Sequence, residues 1–161
     1  MSSWFYRVKK YIWHEEKTPF HLSTFEMSKK QAHSEVFLFA SFEGVLASLF
    51  ICGFLNQIIR TGQPNYVPGL GYCIILMGAL YFLVKHKLIW AGLFSLTPPI
   101  VIFGTLLWLG FHPNNGFIEK ILIGGFLIFW IFYAKRIFEI TRNYHLLDSK
   151  ESSRVVKLNN H

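Results

Sequence analysis

Residues 36–59, VFLFASFEGVLASLFICGFLNQII, contain a single charge, Glu43. Wound as an α-helix at 1.5 Å per residue, such a run reaches about 36 Å, enough to cross a hydrocarbon layer of about 30 Å. Three further blocks share its character: 67–84 and 88–111 carry no Lys, Arg, Asp or Glu, and 117–135 is apolar between Lys120 and Lys135. With 52% hydrophobic residues gathered into long blocks, the chain is expected to span a membrane four times rather than to fold as a soluble domain.

The connections support this division. Ser28-Lys-Lys-Gln31 has capping-box spacing, so the first long helix is expected to begin at Lys29, before the apolar run. Pro68 suits the first turn of the second span. Lys85-His86-Lys87 is so short that the second and third spans should form an antiparallel hairpin. The third span contains Pro98 and Pro99, which remove two backbone donors and release the carbonyls of Phe94 and Ser95. A kink is expected there, with Ser95 and Thr97 partly satisfying the released groups. The fourth span is short and requires its flanking lysines to snorkel. It should continue as a helix through KRIFEITRNYHLL, with Lys135, Glu139 and Arg142 at pairing distances.

Residues 3–14, SWFYRVKKYIWH, place Trp4, Val8, Tyr11 and Ile12 on one face, the pattern of a helix lying in the headgroup layer. The expected fold class is therefore all-α and integral to the membrane: a four-helix up-down bundle led by an interfacial amphipathic helix. Its divisions are 1–28, a basic interfacial segment; 29–147, the membrane domain; and 148–161, a polar and mobile tail.

Of the sixteen Lys and Arg, six precede the first span, two lie in the 85–87 turn and six follow the fourth span, against Arg60 and Lys120 on the other side. This bias places both termini in the cytoplasm. A net charge of +7 distributed in this way describes membrane anchoring, so no nucleic acid is expected as a partner. Neither a signal peptide nor an Arg- and Ser-rich transit segment is recognisable, which favours a bacterial inner membrane over a mitochondrial one.

Glu43 stands out as a candidate site residue. A carboxyl at that depth must be protonated, paired or facing water, and an intramembrane acid has either a structural or a proton-handling role. Ser95 and Thr97, beside the Pro98-Pro99 step, are its expected polar partners, with a protonated carboxyl donating to the Phe94 or Ser95 carbonyl. Ala40, Gly44, Ser48 and Cys52 form a small-residue row that lets another helix approach closely. The aromatic run from Phe126 to Tyr133, Trp130 included, is expected to face lipid. Cys52 and Cys73 read as packing residues. The histidines lie outside the spans, and only a convergence of His33, His86 and His145 would suggest a metal.

Nucleophile elbows, phosphate-binding glycine loops and H-E-x-x-H are absent, so no catalytic residues, metal or cofactor are expected. Four spans with a lone acid in the first, at Phe42-Glu43-Gly44, resemble the small multidrug-resistance transporters. That resemblance implies proton or substrate binding at Glu43. The chain departs from that family in its long basic lead, its helix extension and its charge asymmetry. The expected function is a non-catalytic accessory, assembly or stabilising subunit of a larger inner-membrane complex, with the bilayer and other integral subunits as partners. The alternative is a small homo-oligomeric proton-coupled transporter or channel using Glu43.

Overall fold

The structure, a computed structural model, describes residues 23–24, 26–112 and 116–159, with side chains described as far as residue 147. The amphipathic segment 3–14 lies outside the described residues. Those described form helices: α1 (Lys29–Thr61), a 3-10 turn (Pro64–Tyr66), α2 (Val67–His86), α3 (Ile89–Phe94), α4 (Thr97–Leu109) and α5 (Phe117–Asn159). Four stretches are long and apolar enough to cross a membrane: Lys29–Thr61, Pro64–His86, Ile89–Leu109 and Phe117–Leu147.

Each boundary has a local cause. Ser28 Oγ accepts from the Gln31 amide and the Gln31 side chain accepts from the Ser28 amide, closing the capping box. Gly62, at φ 64°, ends α1 in the left-handed conformation that glycine adopts without strain. At 33 residues, α1 is about 50 Å long at 1.5 Å per residue, so it overruns the hydrocarbon.

The third stretch is broken where the sequence suggests only a kink. Ser95 and Leu96 separate α3 from α4, and Pro98 and Pro99 fall in the first turn of α4, where missing amide donors cost nothing. Thr97 Oγ1 donates to the Phe94 carbonyl at 2.7 Å, satisfying one released group, while Ser95 Oγ donates to the Gly92 carbonyl at 2.9 Å. A further difference concerns the tail: α5 does not stop near Asp148 but continues to Asn159. No Gly or Pro follows Gly125 to terminate it.

Helix α1 packs on α2 and α5, α3 on α2 and α5, and α4 on α5. The core contains many small residues: Ala32, Ala40 and Ala47 of α1, Ala79 of α2, Ala91 of α3 and Ala134 of α5 are all buried. Such residues let helices approach where lipid supplies no hydrophobic drive between them. At Gly92 an added Cβ would stand 3.3 Å from Thr141 Oγ1, so the absence of a side chain fits the close α3–α5 crossing.

α1 and α5 run antiparallel in a clear register. Glu35 meets Arg136, Phe39 meets Tyr133 edge-on at 5.5 Å, and Phe42 meets Trp130 edge-on at 5.5 Å. Position by position, α1 ascends while α5 descends. Among the buried residues of α1, Glu35, Phe39, Glu43 and Ala47 form one row at four-residue spacing.

Candidate functional site

Two acids on that row carry the polar chemistry of the bundle. Glu35 is fully buried, and Arg136 reaches it from α5 with Nε at 2.6 Å from Oε1 and Nη2 at 3.4 Å from Oε2. This forked geometry suits guanidinium and carboxylate. The same Nη2 lies 3.6 Å from Met27 Sδ, tying the segment ahead of α1 to α5. Sequence reasoning misses this pair, because Glu35 sits in the polar lead to the first span and resembles a surface charge. The signal that could find it is spacing: Glu35 stands one helical turn before Phe39 and two before Glu43. By contrast Lys135 and Glu139, expected as a pair, lie 3.9 Å apart on the exposed surface, where such a contact contributes little.

Glu43 is buried, at 1% exposure, two turns deeper. Its partner is Trp130 of α5, whose Nε1 donates to Oε1 at 3.2 Å. This corrects two expectations. Ser95 and Thr97 do not bond Glu43, because the broken helix turns their hydroxyls onto nearby carbonyls; Thr97 also shares a 2.6 Å hydrogen bond with the Tyr72 hydroxyl. Trp130 is buried rather than lipid-facing, although its neighbours Phe126, Phe129 and Phe132 are exposed. A tryptophan inside a helix pair requires a destination for its N–H, and the acid supplies it.

The second oxygen of Glu43, Oε2, has no hydrogen-bond partner among the described residues. Glu43 lines a partly open pocket of about 290 Å³, to whose wall all four spanning stretches contribute. Leu46, Ala47, Phe50 and Phe54 of α1, Gly69 to Leu76 of α2, Pro98 to Ile102 of α4 and Trp130 supply its wall. Gly69 admits Phe54: a Cβ there would stand 2.7 Å from the ring. The chamber is thus apolar with one carboxyl at its side, suited to a proton or to an apolar molecule with a single polar group.

The small-residue row divides. Ala40 is buried and Gly44 half-buried, with Met77 of α2 beside it, whereas Ser48 and Cys52 are exposed. Ser48 Oγ donates to the Gly44 carbonyl at 2.8 Å, so its hydroxyl is satisfied within the helix. Cys73 is buried in the chamber wall, away from the surface that bears Cys52. Among the described residues no three His, Cys, Asp or Glu side chains gather as a metal-holding group, and His33, His86 and His145 do not converge into one. Compared with known families, curated proteins and solved structures, this chain matches no family model, no curated protein and no solved structure.

Proposed function

We propose that the chain is a non-catalytic multi-span subunit that assembles or stabilises a larger complex of a bacterial inner membrane, with both termini in the cytoplasm. The observation that carries this reading is the outward face of α1. Ser48 and Cys52 continue the small-residue row beyond Gly44, which has Met77 of α2 beside it, and both remain exposed. A row of small residues is costly to leave against lipid tails and well suited to a second protein helix at close range. The two buried acids support the same reading, since Arg136 and Trp130 engage them within the chain. The distribution of Lys and Arg supports the orientation.

Substituting tryptophan at Ser48 or Cys52 tests this. The larger side chain would hold a partner helix away without disturbing the bundle. Most of the tagged chain should then leave the large assembly on native electrophoresis, whereas Leu49→Trp, on the adjacent exposed position, should leave migration unchanged. Equal behaviour of all three variants would remove the support from this face.

A second reading rests on Oε2 of Glu43, which is buried beside the chamber without a partner among the described residues. In this reading the chain forms a small proton-coupled carrier or channel. Glu43→Gln retains an acceptor for Trp130 and removes the titrating group, so proton flux into dye-loaded liposomes should vanish while the fold persists. Flux absent from the wild type, or unchanged by the substitution, would leave Glu43 only as a tether between α1 and α5.

A further inference from the structure

The polar groups around the Glu43 chamber are engaged with one another, with one exception. Trp130 Nε1 donates to Glu43 Oε1 at 3.2 Å. The Tyr72 hydroxyl and Thr97 Oγ1 lie 2.6 Å apart, and because Thr97 Oγ1 donates to the Phe94 carbonyl, the proton between them belongs to Tyr72. The Tyr72 ring also rests against Phe94, with centroids 5.8 Å apart, so it stands as a fixed part of the wall. Cys73 contributes a thiol, a weak donor that packs as a small apolar group. Among the described residues, Glu43 Oε2 alone is a buried side-chain oxygen without a partner.

The shape of the chamber follows from the broken helix. α3 packs on both α2 and α5, whereas α4 packs chiefly on α5, and Pro98, Val101 and Ile102 of α4 line the space this leaves beside α2. Its volume of about 290 Å³ is close to twice the roughly 150 Å³ in which an apolar cavity takes up benzene. The rings of Phe50, Phe54, Tyr72 and Trp130 stand in the wall and suit a flat occupant. The one unpartnered oxygen selects the polar group of that occupant. An ammonium would bring three donors to it and bury the remainder unpaired. A hydroxyl brings one donor, and because it both donates and accepts, it serves the carboxyl in either protonation form.

We propose that the chamber binds a neutral two-ring aromatic molecule bearing a single hydroxyl, which hydrogen-bonds to Glu43 Oε2. Oε2 is covered in the structure, and a turn of the carboxyl about its terminal torsion, which has a broad energy profile, presents it to the occupant. The inference rests on the chamber of the second reading above but requires binding only, not transport.

The probe is 2-naphthol, with naphthalene as a comparator of the same shape that lacks the hydroxyl. Each is titrated by calorimetry into the full chain in detergent micelles, against micelles alone. 2-Naphthol should saturate one site and bind about tenfold more tightly than naphthalene, the effect of one buried hydrogen bond. Glu43→Leu, similar in volume, should bring 2-naphthol down to the affinity of naphthalene. A second measurement leaves Glu43 untouched and so holds even if Glu43→Leu misfolds. In Cys52→Ser, Cys73 is the one thiol left, and 2-naphthol should slow its alkylation by N-ethylmaleimide, read by mass spectrometry. Binding of 2-naphthol without proton flux in liposomes would remove the carrier reading and uphold this one. Glu43-dependent flux without saturable 2-naphthol binding would do the reverse. Equal affinity for the two probes, a preference that survives Glu43→Leu, or alkylation of Cys73 indifferent to 2-naphthol would overturn the proposal.

Discussion

Glu35→Ala is expected to destabilise the bundle by about 3–5 kcal/mol, because it leaves the Arg136 guanidinium largely buried with its carboxylate removed. The pair joins α1 to α5 at the basic end, and through Nη2 of Arg136 it also fixes Met27 ahead of the helix. The cost arises from leaving a part-buried guanidinium without the carboxylate it forks onto, rather than from the attraction of the pair. Removing both members should therefore be milder: Glu35→Met with Arg136→Met should recover most of the loss, since neither charge then needs to leave water. Thermal unfolding of the three variants in detergent micelles decides the matter. A single variant as stable as the wild type, or a double variant worse than either single, would contradict this account of the pair.

The second large effect is expected at Trp130. Trp130→Ala removes a buried indole from the α1–α5 seam and should cost about 3–5 kcal/mol, in the range for large aromatic-to-alanine changes. It also removes the only hydrogen bond made by the Glu43 carboxyl among the described residues. Trp130→Phe isolates that second contribution: the ring is largely retained and the donor lost, for about 1–3 kcal/mol. Combining Trp130→Phe with Glu43→Leu should be less destabilising than Trp130→Phe alone, because no unpaired acid then remains in the membrane. If Trp130→Phe leaves the unfolding temperature unchanged, the indole–carboxyl bond is not what fastens the fourth span to the first.

The parts of this molecule that depend on neighbouring residues are legible in the sequence itself. The Ser28 capping box sets the start of α1. Long apolar runs mark the spans, and Pro98-Pro99 locates the interruption of the third. The rotation of one helix about its axis relative to the next is not legible in this way. Glu35, Phe39, Glu43 and Ala47 form one four-residue row of α1, and Ala40, Gly44, Ser48 and Cys52 form another one residue further on. Both rows have a physical claim to an interface. The acid row is the one that α5 contacts, because Arg136 and Trp130 lie on the facing side of α5 and satisfy charges that lipid could not. The same ambiguity groups Trp130 with lipid-facing aromatics: it shares an apolar run with Phe129 and Phe132, and only the opposing carboxyl distinguishes it. The severity of the break at Ser95 also depends on tertiary context, since Gly92 admits Thr141 close to the point where the helix gives way.

The assembly claim is tested most directly by native electrophoresis with mass spectrometry, on membranes solubilised mildly and carrying the chain with a C-terminal tag. Migration within a stoichiometric large complex, lost when tryptophan replaces Ser48 or Cys52, is the predicted result. Migration only as a monomer or small homo-oligomer, indifferent to those substitutions, would contradict it and move the weight to the Glu43 chamber.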